Sequence, residues 1–167
     1  DSCEAGIIGF GIGENKMKKE LKVPAIREGT VVDHIPSRAT FKVIRILDLN
    51  DFEHVISVAL NLQSKSMGKK GIIKIGSRFL TEDEVNKIAV LAPNATVNII
   101  KDYAVKEKIK VKIPDVIEKI IKCSNPQCIT NNEKDTKTKF YVVEKSPLKI
   151  KCHYCERCMQ KEDIELV

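Results

Sequence analysis

Four cysteines in the last third of the chain constrain its fold more than any other feature. They form two short pairs, Cys123/Cys128 and Cys152/Cys155, which are separated by twenty-three residues. Two such pairs, each on a tight turn, are typical of a tetrahedral site in which Zn²⁺ binds four thiolates at about 2.3 Å. The spacing therefore predicts a structural zinc site, because four protein ligands leave no open position for catalysis.

Spacing alone leaves other interpretations of these cysteines open, free thiols without a metal among them. Two disulfides are the first, but the N-terminal residues lack the pattern of a secretory signal, so we expect a reducing, cytoplasmic compartment in which such spacing indicates a metal. Cys158 raises the second, since Cys155 and Cys158 form another pair with two intervening residues. The strand-like run before Cys152 favours Cys152 and Cys155 as the ligands.

The chain of 167 residues has room for one medium domain or two small ones. Pro114 predicts a boundary, with 19 basic and 14 acidic residues before it and 10 basic and 9 acidic residues after it. We expect a leader over residues 1–22, a first domain over 23–113, and a linker helix with a metal domain over 114–167. The helix is predicted over 114–122, and the small metal domain needs its metal in order to fold.

The first domain is predicted to be an α+β fold. From Arg27 the patterns give strand, helix, strand, strand, helix and strand, with one extra strand, which is the order of a ferredoxin-like antiparallel sheet with two helices on one face. Residues 54–62 are apolar on both faces, which predicts a central strand. Helical spacing turns Phe41 toward the core, and Thr81 with Glu84 predicts a capping box.

Composition favours binding over catalysis. The chain has three histidines, no Ser/His/Asp set and no Walker-type phosphate loop, so we expect no enzymatic activity. A ferredoxin-like sheet, a zinc module and a net charge of +6 also fit an RNA-binding protein, which is the alternative, although no basic-aromatic strand motif is present. A phosphorylated small ligand, or simply a solvated basic face, fits residues at the ends of the predicted strands: Arg27, Asp33, His34, Lys70, Lys74, Tyr103 and Lys108.

At these residues the sequence resembles the regulatory chains of aspartate carbamoyltransferase. The resemblance covers residues 21–160 and depends on several short blocks in order. They are Ala25-Ile-Arg-Glu-Gly-Thr-Val-Val-Asp-His-Ile-Pro36, Leu60-Asn-Leu62, Met67-Gly-Lys-Lys70, Ile73-Lys-Ile75, Phe79–Val85, Ala92–Asn98 and the cysteine pattern.

The resemblance implies the following sites. It assigns zinc to Cys123, Cys128, Cys152 and Cys155, which resolves the Cys158 alternative. It implies that CTP, ATP and UTP bind at Ala25, Ile26, Arg27, Val31, Asp33, His34, Lys70, Lys74, Asn98, Ile100, Tyr103, Val105 and Lys108. In this chain Arg27 stands where a lysine is usual, and Pro24 stands where a familiar member has a glutamate and removes a backbone donor.

The resemblance also implies partners. Asn125, Tyr154 and Glu156 would contact a separate catalytic chain, and regulatory homodimers would join two catalytic trimers into a dodecamer with three regulatory dimers. The chain would then be a non-catalytic subunit of an enzyme of pyrimidine biosynthesis, with no membrane or nucleic acid as partner.

Overall fold

The computed structural model of the protein describes residues 23–49 and 52–167, so the predicted leader and Cys3 lie outside the described residues. The N-terminal domain contains five strands and two helices in the predicted order. They are β1 (Gly29–Pro36), α1 (Thr40–Ile46), β2 (Ile56–Ser64), β3 (Gly68–Gly76), α2 (Glu82–Leu91), β4 (Thr96–Lys101) and β5 (Ala104–Lys110).

The five strands form one antiparallel sheet in the order β2-β3-β1-β4-β5. The first four have the arrangement of a ferredoxin-like fold, and β5 extends the sheet beside β4. Alternate residues of a strand point to opposite faces. One face packs on α1 and α2 through a buried cluster that includes Val32, Ile73, Val97, Val43 and Ile88. We call the opposite face the open face, and the predicted α+β class is confirmed.

Helix α2 begins at the predicted capping box. The Glu84 N–H donates to Thr81 Oγ1 at 3.3 Å, and the Thr81 N–H donates to Glu84 Oε2 at 2.9 Å. Arg78 forms an ion pair with Glu84 at 2.5 Å. Burial alone would raise the pKa of Glu84, but the hydrogen bonds from Thr81 and Arg78 and the charge of Arg78 outweigh it and lower that pKa below 4.5. Glu84 is therefore a charged anchor between β3 and α2.

Two expectations about this domain are wrong. Strand β2 lies at the edge of the sheet and not at its centre, because β3 pairs with β1 on its other side. Phe41 is 64% exposed. Thr40 and Val43 are the inward positions of α1, and both are fully buried. Leu47 has helical spacing from Val43 and also from Phe41, so two sets of residues, one with Val43 and one with Phe41, could have formed the buried side of the helix. Spacing alone could not choose between the two sets.

The C-terminal part is built from short strands. Its elements form a four-stranded sheet in the order β10-β9-β8-β6, a separate pair of β11 with β7, and one helical turn. They are β6 (Val116–Glu118), β7 (Ile121–Lys122), α3 (Ile129–Asn132), β8 (Lys139–Lys145), β9 (Leu148–Cys152), β10 (Cys158–Gln160) and β11 (Glu165–Leu166).

The linker helix predicted over residues 114–122 is wrong. This segment forms β6, which pairs with β8, and β7, which pairs with β11. Lys119 has a φ of 60°, which ends any helix at that residue. The apolar residues at 116, 117, 120 and 121 have helical spacing, but pairing with distant strands overrides this local pattern.

The two cores meet at a shared apolar contact. Val90 of α2 is buried in the core of the metal domain, and Ile46, Ile113 and Leu166 pack against both cores. The Arg45 guanidinium donates to the Val167 carbonyl at 2.8 Å. Across residues 23–49 and 52–167, none of the helices has the length and apolar character required to span a membrane.

Candidate functional site

The first cysteine pair lies on a turn that is held by amide side chains. The Gln127 N–H donates to Asn125 Oδ1 at 3.1 Å, as the turn chemistry of asparagine requires. The Asn131 side-chain amide donates to the carbonyls of Cys123 and Asn125 at 2.9 and 2.7 Å. Asn131 was missed in the sequence. The polar residues that follow Cys128 were the available signal, since the carbonyls of a buried turn need hydrogen-bond donors. We call each of the two turns that carry a cysteine pair a knuckle.

The second pair lies on the turn after β9. The Glu156 N–H donates to the Cys152 carbonyl at 3.1 Å, and the Cys152 N–H donates to the Arg157 carbonyl at 2.9 Å. Glu156 has a φ of 58°, which lets the chain reverse within four residues. The turn brings Cys155 back toward Cys152 and toward the first knuckle.

The two turns bring four sulfurs together. The Sγ atoms of Cys123, Cys128, Cys152 and Cys155 all lie within 4.8 Å of one another. Cys123 and Cys155 are 3.6 Å apart, and Cys128 and Cys152 are 3.8 Å apart. A disulfide needs about 2.05 Å, whereas four sulfurs at 2.3 Å from a tetrahedral Zn²⁺ lie about 3.8 Å apart. The donor set therefore fits a thiolate-bound metal ion.

Burial and hydrogen bonds change the ionisation of these thiols in different directions. Burial raises the pKa of the Cys123 and Cys152 thiols. Burial also opposes ionisation of Cys155, but hydrogen bonds from the Arg157 backbone and the Asn125 side chain outweigh it and lower the pKa of Cys155 to about 7. A cluster of buried thiols becomes a set of thiolates only when a cation offsets the charge. Cys158 is exposed on β10 and is not in the cluster.

The register of the N-terminal sheet aligns four predicted nucleotide residues in one row across the open face. Val31 pairs with Lys74 of β3 on one side and with Asn98 of β4 on the other. Asn98 in turn pairs with Lys108 of β5. With strands about 4.8 Å apart, the row from Lys74 to Lys108 is about 14 Å wide. That width can hold a small molecule along the sheet.

Toward the end of β1 the open face becomes polar and basic. Lys70 Nζ lies 2.8 Å from Asp33 Oδ1 and 2.9 Å from Oδ2. The His34 N–H donates to Asp33 Oδ1 at 2.6 Å, and His34 Nδ1 lies 3.2 Å from Thr96 Oγ1. His34 has a φ of 58° within a bulge of β1. Such backbone strain outside glycine concentrates at functional sites.

Toward the start of β1 the same face is apolar. Gly29 pairs with Ile100, and Ile100 pairs with Val105. Tyr103 is 69% exposed in the turn between β4 and β5, and its N–H donates to the Arg27 carbonyl at 2.9 Å. The structure therefore places Arg27 at the apolar end, several strand residues away from Asp33, and does not bring it into the basic cluster.

The segment before β1, which contains Ala25 and Ile26, is tied to the open face by Lys74. Lys74 Nζ donates to the Pro24 carbonyl at 2.6 Å and lies 3.4 Å from the Val23 carbonyl. Burial lowers the pKa of Lys74, against the attraction of Asp33. Pro24 lacks a backbone donor, but its carbonyl serves here as an acceptor for Lys74.

The three predicted interface residues surround the cysteine cluster. The Tyr154 hydroxyl donates to the Lys137 carbonyl at 3.1 Å, and its ring is 43% exposed. Glu156 lies 3.4 Å from Lys151. With Asn125 on the first knuckle, they lie on the two turns that the sulfurs join. A metal in the cluster would therefore fix their positions relative to one another.

Comparison with known proteins matches both parts of the chain. A family model described as "Aspartate carbamoyltransferase regulatory chain, allosteric domain" matches residues 21–112. A second, described as the metal binding domain of the same chain, matches residues 115–165.

Individual relatives agree with the family models. The aspartate carbamoyltransferase regulatory chain of Pyrococcus abyssi is 58% identical over 147 residues, which cover 87% of this chain and 96% of the relative. The regulatory chain of Bacteroides fragilis is 48% identical over 150 residues, which cover 90% of this chain and 97% of the relative. The expectation of a regulatory, non-catalytic subunit is confirmed, and the chain belongs to the family of aspartate carbamoyltransferase regulatory chains.

Proposed function

We propose that the open face binds nucleoside triphosphates, namely CTP, ATP and UTP, and that this binding controls catalytic chains of aspartate carbamoyltransferase in pyrimidine biosynthesis. The change of the open face from apolar to basic along β1 carries the proposal. A base packs on Ile100 and Val105, near Tyr103, while the phosphates lie toward Lys70 and His34. Between the base and the phosphates lies the row of Lys74, Val31, Asn98 and Lys108, which we call the central row.

Individual groups of the open face have separate chemical roles within this proposal. Asp33 is an acceptor for a ribose hydroxyl or an exocyclic amine, and Asn98 offers both a donor and an acceptor. Lys108 pairs with phosphate as a point charge. Backbone groups of Ala25 and Ile26 approach the base, and Val31 forms the apolar floor between the two ends.

The metal part of the proposal is that one structural Zn²⁺ binds Cys123, Cys128, Cys152 and Cys155. Zinc would supply the positive charge that turns the buried thiols into thiolates. The fold then presents Asn125, Tyr154 and Glu156 to a catalytic chain. A cytoplasmic location, where thiols stay reduced, is part of the same proposal.

The assembly is a dodecamer of two catalytic trimers and three regulatory dimers. Nucleotide binding changes the balance between two states of this assembly, because its affinity differs between them. The edge of β2 suits the contact between two regulatory chains, since β2 carries no charged residue. The other edge, β5, carries four charged residues, which discourage strand pairing.

A groove beside β2 adds apolar surface to this dimer contact. It has a volume of about 580 Å³ and is lined in part by Phe41, Leu60 and Met67. We expect Phe41→Lys to turn dimers of the zinc-loaded chain into monomers in sedimentation, because it places a charge in the apolar dimer contact. The fold of the single chain should be unaffected, because the Phe41 ring is exposed in it. Val143→Lys, at a site that is 58% exposed in the metal domain, is the control. A dimer that survives Phe41→Lys would argue against this surface.

Calorimetric titration of the zinc-loaded chain with CTP tests the nucleotide proposal. Single-stranded RNA with the same number of phosphates is titrated in parallel. We expect saturable binding of CTP that Lys108→Ala weakens about tenfold, with little affinity for the RNA. Tight, steeply salt-dependent RNA binding without a response to CTP would instead indicate a nucleic-acid-binding protein.

A further inference from the structure

We infer that Lys110, which lies outside the set of residues implied by family resemblance, contacts the terminal phosphate of the bound nucleotide and makes the site selective for triphosphates. This inference rests on the proposed nucleotide function and specifies how the site distinguishes its ligands.

Sheet register places Lys110 beside the basic cluster. Asp33 pairs with Thr96 of β4, and Thr96 pairs with Lys110 of β5. This second row runs next to the row of Val31, Asn98 and Lys108, on the same face, because same-face residues alternate along each strand. Lys110 therefore lies one step beyond Lys108, toward the basic end of the open face.

The contact between His34 and Thr96 connects this row to the proposed phosphate residues. His34 Nδ1 lies 3.2 Å from Thr96 Oγ1, and Thr96 is the direct neighbour of Lys110 across the strands. A polyphosphate chain that runs from the central row toward His34 must pass over β4, which lies between β1 and β5. Lys110 borders that path on the side opposite Lys70.

The ammonium groups of the open face differ in how they are already paired. Lys70 forms an ion pair with Asp33, and Lys74 donates to the Pro24 carbonyl. Among the described residues, Lys108 and Lys110 have no carboxylate within 4.0 Å and no hydrogen bond from Nζ. These two lysines can therefore bind phosphate without first losing an internal partner.

The spacing of the two free lysines assigns them to different phosphates. Same-face residues on one strand are separated by about 7 Å, which is more than the size of one phosphate group. If Lys108 contacts a phosphate near the ribose, Lys110 reaches only the far end of the chain. A monophosphate then leaves Lys110 without a ligand, and a triphosphate engages both lysines.

The test compares CTP, CDP and CMP by calorimetry at fixed ionic strength, on the full zinc-loaded chain. We expect Lys110→Ala to weaken CTP binding about tenfold, because one charge-assisted contact is lost. CMP binding should weaken less than about twofold, because CMP does not reach Lys110. Lys110→Arg restores CTP binding because it keeps the charge. Lys42→Ala, which removes the same charge from exposed α1 on the opposite face, leaves all three affinities unchanged.

The possible failures are distinguishable. Equal losses for CTP and CMP in Lys110→Ala would mean a general electrostatic effect and would overturn the inference, and so would an unchanged affinity for CTP. In both cases CTP binding by the unmodified chain still supports the proposed function. If the unmodified chain does not bind CTP saturably, the proposed function fails, and the role of Lys110 fails with it.

Discussion

The open face of the N-terminal sheet and the cysteine cluster of the C-terminal domain are built in opposite ways. Cys123, Cys128 and Cys152 are at most 3% exposed and belong to the hydrophobic core of their domain. Lys70 and Asp33 lie on the face away from the core of theirs, each with a side chain that is 19% exposed. The cysteine cluster is thus part of the core of its domain, whereas the open face lies outside the core of a domain that is already packed.

Removing the proposed zinc ion should have the largest effect, and the effect should be confined to the C-terminal domain. We expect chelation, or Cys128→Ala, to unfold the C-terminal domain, because binding of a structural zinc supplies about 10–16 kcal/mol in small zinc domains. In the proposed assembly, catalytic trimers should be released at the same time. The affinity for CTP should change less than about twofold, because the metal domain contacts the helices through Ile46 and Val90, and the helices cover the opposite face of the sheet.

Circular dichroism, zinc release and CTP titration on one sample separate these effects. Cys158→Ser is the matched control, because Cys158 is exposed and outside the cluster, and it should retain the metal. Loss of CTP binding while the N-terminal sheet stays folded would contradict the separation. That result would mean that the shared contact at Val90 and Ile46 couples the open face to the state of the metal domain without unfolding the sheet.

The second prediction perturbs the other domain. Gly29 has a φ of 131°, and a Cβ there would meet the Ile75 carbonyl of β3. We expect Gly29→Ala to lower the free energy of unfolding of the N-terminal domain by about 3 kcal/mol, through strain and separation of β1 from β3. Zinc content should stay at one ion per chain, because the cysteine turns are formed elsewhere.

Gly68→Ala provides the matched control for this substitution. Gly68 also has a positive φ, 73°, but no atom lies within 4 Å of an added Cβ. Only the backbone strain remains, so we expect a cost of about 1 kcal/mol in urea unfolding. Equal costs at the two glycines would show that the approach of Ile75 is unimportant and that backbone conformation alone accounts for the effect.

The sequence predicted the cysteine turns more easily than the open face because the turns are local. Cys152 and Cys155 occupy one turn, and Asn125 carries the turn chemistry of the other. The row of Val31, Lys74 and Asn98 requires the strand register, which no short pattern states. Family resemblance supplied those residues, but it did not single out Lys110 or Asn131.

Local patterns failed where pairing with distant residues decided the structure. Residues 114–122 have helical spacing, yet β6 and β7 form because Tyr141 and Leu166 lie opposite Val116 and Ile121. Strand β2 was expected at the centre because both of its faces are apolar. A dimer through β2, as proposed above, would explain that composition, since the edge would then be covered.

The third prediction concerns the charge that starts α2 in the N-terminal domain. We expect Glu84→Gln to lower the free energy of unfolding by about 1 kcal/mol at pH 7, because the cap and the ion pair with Arg78 are weakened. The pKa of Glu84 is lowered on folding. Its stabilisation is therefore complete above its unfolded pKa, near 4.5, and is lost as the pH falls through the lower, folded value.

Urea unfolding of both proteins between pH 3 and pH 7 measures this difference, and taking the difference cancels the acid-induced loss of metal that both share. Glu82→Gln, an exposed position in the same first turn, should change stability by less than about 0.5 kcal/mol. If the difference in the free energy of unfolding between wild type and Glu84→Gln increased as the pH fell, the charge of Glu84 would be excluded as the stabilising feature.

The smallest effect compares two ion pairs of almost equal length, one in each region. Lys145 and Asp115 lie 2.7 Å apart in the metal domain with side chains that are 55% and 85% exposed, whereas Lys70 and Asp33 lie 2.8 Å apart and are 19% exposed. We expect Lys145→Met to change the free energy of unfolding by less than about 0.5 kcal/mol, because water screens an exposed pair. Lys70→Met should cost about 1–2 kcal/mol, since it leaves the largely covered Asp33 carboxylate without its direct ion-pair partner. Urea unfolding of the zinc-loaded chain measures both, and equal costs would mean that distance, and not burial, determines the contribution of an ion pair here.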